Sequence, residues 1–311
     1  MYHPYFRGKQ FELITIREMA PLMKSAGFRP IIEPVRDTFS GLHKALDAVV
    51  DAQGRAIVVV NPHYGDAEEH LLTELLANRY LDLPAVSAGI LLKAEMNAEE
   101  AMACFHKHAN HSPVFIHAGF TDAKKLSESL GPPARDRCHV FFDRYGKLYQ
   151  RHFKGSHRVL LKDGFEKKRN ADYEPVERFS DLHLTYEEEG MDGFGDFLIV
   201  GDEYSESGGP AYAIAIHLTF IDPDQDDVMR IYHFKSKRQD TPKDPAGKFA
   251  EALDEMMETL NEPHSKVLES TAVQEFRALH EQGHFPGLGY VKKLSMNHHI
   301  ETLAHFFDPA A

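Results

Sequence analysis

Several short apolar runs in the first 145 residues of this chain give way to side chains that can hold charge or move a proton. HPYF is followed by Arg7, Lys9 and Gln10; PII by Glu33 and then Arg36; AIVVV by Asn61 and His63; VSAGILL ends on Lys93; PVFI runs into His117, and HVFF into Asp143. If the runs are parallel strands, these residues collect at one rim. Cations interleaved with carboxylates and imidazoles could there bind an anion and supply acid-base groups. Against this, any strand end meets solvent and carries polar residues for that reason alone.

Glu33 is the sharpest case. PIIEPV places a carboxylate in an otherwise apolar run whose exit is set by Pro34. A carboxylate buried there needs a cation, and Lys9 on the adjacent strand is the expected partner. Such a pair is either an acid-base or anion-binding couple or a satisfied buried ion pair. On the functional reading Glu33, Lys9, His117 and Asp143 are candidate catalytic groups. Arg7, Gln10, Arg36, Asn61, His63 and Lys93 are then candidate ligand-binding groups.

A second concentration of polar residues is GDEYSESGGPAY, residues 201–212, with three carboxylates and three glycines between apolar segments. Asp202 and Glu203 could ligate a divalent cation, which favours clustered oxygen ligands; an exposed flexible loop is the alternative. Histidine is abundant, 20 in all, but His106, His108 and His111 in HKHANH do not face one another on a helix and read as a solvated helix end. Phosphate-binding loops, nucleophile elbows, kinase signatures and zinc-hydrolase motifs are absent from the sequence. Cys104 and Cys138 lack zinc spacing and read as buried small hydrophobes.

The elements that would position these groups follow from periodicity. PIIEPV, AIVVVNP, VSAGILLK, PVFIHAG and HVFFD carry the continuous apolar runs of strands buried on both faces. Between them lie helical patterns, FELITIREMAPLMKSAG, SGLHKALDAVVDAQG, DAEEHLLTELLANRY, NAEEAMACFHKHAN and TDAKKLSESLG. Pro21 should kink or split the first. Adding HPYF in front and RVLLKD and AYAIAIHLTF behind brings the strands to eight. The chain therefore reads as one α/β domain over residues 1–311, a (β/α)8 TIM-barrel-like fold. Its βα units are regular to residue 145 and irregular over 146–311, where AIAIHLTFI-DPDQDD-VMRIYHFK forms a hairpin insertion before C-terminal helices.

Composition narrows the partners. Lys+Arg 35 against Asp+Glu 48 gives a net charge of −13, which disfavours direct binding to nucleic acid or an anionic membrane, although FEKKRN, residues 165–170, is a local basic patch. No run approaches the roughly 18 apolar residues of a membrane span, and the N-terminal stretch has no signal-peptide core, so a cytoplasmic location is expected.

YFRGKQFEL with PIIEPV near the start, the GDEY segment before a strand and hairpin, and the closing YVKKLSMNHHIETLAHF together resemble the bacterial and phage "beta protein" family. The chain looks like a sibling subfamily, shorter around GDEYSESGGP and without the tryptophan those proteins tend to carry near the end. The resemblance implies a barrel-like protein of mobile-element and anti-phage defence loci, acting beside a protein encoded by a neighbouring gene, with no particular reaction. It draws Asn297, His298 and His299 in as ligand-binding candidates, carried back to the barrel mouth by the last helix. Alternatively Asn297, ahead of an apolar-periodic stretch, caps that helix, and partly buried histidines pack the tail. Three functional readings result: a defence component whose barrel mouth binds a phosphate- or nucleotide-like anion, a metal-dependent phosphodiesterase or nuclease-type hydrolase, and a non-catalytic scaffold or antitoxin-like partner.

Overall fold

The computed structural model describes residues 1–81, 83–131, 137–206, 209 and 211–308. Where the sequence reads as one domain with an irregular second half, the chain divides into two compact units. One comprises Met1–Lys162 with Leu182–Asp196, and the other Asp163–Asp181 with the chain from Phe197 onward.

The first unit is an eight-stranded parallel sheet. Its strands are β1 (Tyr5–Phe6), β2 (Ile31–Ile32), β3 (Ala56–Val59), β4 (Val86–Lys93), β5 (Val114–Ala118), β6 (Cys138–Phe142), β7 (His157–Leu161) and β9 (Gly193–Gly195), paired in that order. The order nearly closes on itself: Tyr2 bridges Phe194, the His3 amide donates to the Phe194 carbonyl (2.7 Å), and the Tyr5 amide donates to the Asp196 carbonyl (2.9 Å). This is the barrel architecture expected from the alternation of strands and helices. Its outer elements are α1 (Gln10–Ser25), α2 (Ser40–Asp51), α3 (Glu69–Arg79), α4 (Ala98–Lys107) and α5 (Ala123–Leu130), with single turns at α6 (Lys147–Gln150) and α7 (Leu182–Thr185).

The eighth strand differs from the expected one. AYAIAIHLTF is not in the barrel; the closing strand is the three-residue GFG of β9. Glycine is needed there because the strand passes against the N-terminal backbone. A Cβ on Gly193 would lie 2.6 Å from the Met1 carbonyl oxygen, and one on Gly195 would collide with that of His3. Pro21 does not split the first helix, since α1 runs unbroken through it. The proline is solvent-exposed, so water can take up the carbonyl it leaves unpaired.

The second unit is an antiparallel sheet ordered β10-β11-β8, from β8 (Val176–Ser180), β10 (Ala215–Asp222) and β11 (Val228–Lys235), with α8 (Pro245–Leu260), α9 (Thr271–Gln282) and α10 (Leu288–Phe307). The hairpin read from the sequence is present, in register from Ala215 with Lys235 to Asp222 with Val228. Ile214, Ile216, Leu218 and Phe234 of its inner face pack on Phe249, Met256, Phe276 and Leu294 of the helices. No helix among the described residues is long and apolar enough to cross a membrane.

Candidate functional site at the barrel mouth

The register of β1 on β2, Tyr5 with Ile31 and Phe6 with Ile32, brings Arg7 level with Glu33 just past the C-terminal strand ends. Both are buried. The Arg7 guanidinium pairs with Glu33 Oε2, the Tyr5 hydroxyl donates to the same oxygen (2.8 Å), and the His63 amide donates to Oε1 (2.8 Å). The cation found on Glu33 is thus Arg7, where the sequence suggested Lys9. Gly8 between them has φ +63°, and a Cβ there would press within 3.0 Å of the Glu33 carbonyl, so the RGK segment turns away through a backbone that favours glycine. Lys9 becomes the N-cap of α1, partly exposed, and Gln10 its exposed first residue.

Parity decides which groups face the barrel interior. Tyr5 meets the ring of Phe142 at 6.1 Å, and since β1 and β6 are not neighbours in the sheet, that contact crosses the lumen. Tyr5 and Arg7, two residues apart, share this inner face. The Arg7 guanidinium lies over the rings of Tyr5 (5.0 Å) and Tyr64 (4.8 Å). Lys93 is level with Ala118, an inward position of β5, and its Nζ donates to the Pro62 carbonyl at 3.1 Å.

The same parity removes His117 from the mouth. It is paired with Phe141, whose side chain is on the face opposite to Phe142. His117 is fully buried on the outer side of the sheet, stacked on Phe141 at 4.4 Å, with Nδ1 2.7 Å from the Tyr149 hydroxyl and Nε2 3.0 Å from His139 Nδ1. Burial, reinforced by His139, holds it well below the usual histidine range. It is a core imidazole there. Asn61 is at the rim, but its amide donates to the Leu91 carbonyl (2.9 Å) and accepts from the Leu91 amide (2.8 Å), continuing the β3–β4 ladder with a side chain. Asp143, Arg36 and the His63 ring are exposed around the rim.

The remaining candidates belong to the second unit. Asn297 does not begin a helix: α10 starts at Leu288, after Gly287, and Asn297 lies within it, 5% exposed. His298 Nε2 donates to the Thr219 carbonyl (2.8 Å) and Nδ1 of the neutral ring accepts from the Ser270 hydroxyl (2.8 Å); burial pushes its pKa down to about 4. His299 Nδ1 is 3.0 Å from Thr219 Oγ1. These histidines tie α10 to β10 and α9. Glu203 pairs with Lys167 at 3.3 Å, and the Asp202 amide donates to Asp163 (2.7 Å); Ser207, Gly208 and Pro210 of that loop lie outside the described residues. Among the described residues no group of three or more histidine, cysteine or acidic side chains is arranged to hold a metal ion.

One other sequence reading changes. His106 is exposed as a helix end should be, but His108 and His111 are buried, and burial lowers His108 to about 4. Cys104 and Cys138 are free thiols, each pushed up to about 11 by burial. Tyr5 and Tyr64, which frame Arg7, went unread in the sequence because an aromatic beside a strand end is indistinguishable from a core residue until its partner is known. A comparison with family models, curated proteins and solved structures finds no match to the chain.

Proposed function

We propose that the barrel mouth binds a small anionic ligand, phosphate- or nucleotide-like, in a bacterial anti-phage defence function exercised with a protein encoded by a neighbouring gene. The observation that supports this is the Arg7 guanidinium, held by Glu33 and flanked by Tyr5 and Tyr64 on the inner face at the C-terminal rim, the edge at which parallel barrels carry their chemistry. Lys93, on the same inner face, adds an ammonium. A planar fork beside a point charge suits phosphate oxygens. Glu33, already accepting from three donors, orients Arg7; it would serve as a base only for a ligand that displaces one of them.

That satisfaction of Glu33 also favours a second reading, a non-catalytic scaffold or antitoxin-like partner whose rim recognises a protein. A metal-dependent phosphodiesterase needs clustered ligands, and Glu33, Asp143, Asp202 and Glu203 form no such cluster among the described residues. The defence setting rests on the resemblance of the motifs at the two ends of the chain. The test is calorimetric titration of wild type, Lys93→Met and Arg7→Met with inorganic phosphate and a nucleoside triphosphate, beside phage plating of the same variants in the native locus. Binding that is lost in both variants together with protection supports the reading. No binding to wild type, with protection retained in the variants, overturns it.

A further inference from the structure

The face of the three-stranded sheet opposite Ile216 and Leu218 holds a paired imidazole that the barrel-mouth reading does not use. His217 on β10 and His233 on β11 are directly opposite, with their Nδ1 atoms 2.7 Å apart. Two lone pairs cannot meet at that distance, so one nitrogen carries a proton and the other accepts it. His233 Nε2 decides which. It is buried and faces Glu177 Oε2 at 3.9 Å, so the carboxylate favours the proton on Nε2 and leaves Nδ1 of His233 as the acceptor. His217 must then carry its proton on Nδ1, and its Nε2 is a lone pair.

That lone pair is held in place by aromatic rings. Tyr173 stacks on His233 (4.3 Å, 11°) and meets His217 edge-on (5.2 Å), and Phe165 meets His217 edge-on at 5.1 Å, so both rings are clamped. His217 is partly exposed, and among the described residues its Nε2 has no hydrogen-bond partner. Three lysines and two carboxylates flank the pair, Lys168 being shared between Glu177 and Glu166 (3.1 Å to Glu166 Oε2). Lys168 donates to both oxygens of Glu177 (3.1 Å each), Lys235 donates to the Tyr173 carbonyl, and exposed Lys292 at the start of α10 lies near enough to oppose protonation of His217. Phe165 and Lys168 come from the basic stretch FEKKRN, the patch that stood out against the acidic whole. Burial keeps both imidazoles neutral, with His233 down to about 4.

We propose that His217 Nε2, backed by His233 and Glu177 and accompanied by Lys292 and Lys168, is a binding site for a monoprotonated phosphoryl group. The P–OH proton is shared with Nε2 while the charged oxygens face the ammonium groups; no covalent bond is made or broken. The site is independent of the barrel mouth.

The experiment is side-chain nitrogen NMR on the intact chain labelled with ¹⁵N-histidine, with His217→Gln and His233→Gln assigning the two residues. The expected spectrum shows His217 protonated at Nδ1 and His233 at Nε2. Titration with inorganic phosphate then moves the His217 Nε2 resonance saturably, and phenyl phosphate binding more tightly than phosphate would assign an organic monoester as the source. Glu177→Gln, which preserves shape, and Lys292→Met should each weaken the response about tenfold, the scale of one charge-assisted hydrogen bond. His217 found protonated at Nε2, or a His217 resonance unmoved by both probes, overturns the proposal. A phosphate response equal in wild type and Glu177→Gln refutes the relay.

Discussion

Arg7 and Glu33 make a directly measurable claim about the mouth. Glu33 is 0% and Arg7 6% exposed, so the pair exists without appreciable water. Glu33→Gln keeps the shape and removes the charge, leaving the guanidinium buried against two tyrosine rings and a neutral amide. An uncompensated buried charge of this kind costs about 3–5 kcal/mol. Arg7→Met strands the carboxylate, which still accepts from the Tyr5 hydroxyl and the His63 amide, so its cost should fall at the lower end of that range. The double variant removes both charges and should be little worse than either single one, giving a coupling energy of about 2–3 kcal/mol. Equilibrium urea unfolding followed by tyrosine near-ultraviolet dichroism measures this in a chain that has no tryptophan. Single costs that add to within about 0.5 kcal/mol would refute the reasoning, because independent groups add in that way.

Acid should destabilise the protein through its buried histidines. His298 is lowered to about 4 from the ordinary 6.5, so the unfolded chain takes up the proton first; stability present above pH 6.5 is lost as pH falls toward 4, about 3 kcal/mol for this residue. Stability measured against pH in His298→Gln should have a slope shallower by about one proton across that window. Gly195→Ala drives a methyl into the His3 carbonyl and should cost about 1–3 kcal/mol or more, with faster hydrogen exchange at the His3 and Tyr5 amides reporting an opened seam. Pro21→Ala, on the exposed face of an unbroken α1, should stabilise the chain by up to about 3 kcal/mol in the same urea assay. In the native state both thiols, pushed up to about 11, should react with iodoacetamide at pH 8 far more slowly than in urea.

The first seven barrel strands were legible because each is buried on both faces, which demands the continuous apolar runs at Ile31, Ala56, Val86, Val114, Val140 and their neighbours. Strand β9 was not legible. A segment written GFG is chosen by how closely the Met1 and His3 backbone approaches, and glycine carries no periodic signal. AIAIHLTFI, with a stronger strand pattern, went instead to the three-stranded sheet, where Ile216 and Leu218 join the helical core while the alternate positions His217 and Thr219 bond to histidines of β11 and α10. The start of α10 was hidden for a related reason. Gly287 and Gly289 obscure seven helical residues ahead of Ser295, so Asn297 looked like a cap.

By itself the sequence determined the alternation of strand and helix, the hairpin with its acidic turn, and the chemical types gathered near the strand ends, since all of these follow from local periodicity and side-chain character. Tertiary structure alone decided which of those side chains meet. A one-residue difference of parity sends His117 outward into an aromatic cluster and Arg7 inward to Glu33. It also decided that Arg7 is the cation on Glu33, because strand register and the turn at Gly8 act over distances that no local pattern encodes. The His217–His233 pair likewise exists only in the folded hairpin, where 16 residues of sequence separation close to one hydrogen bond.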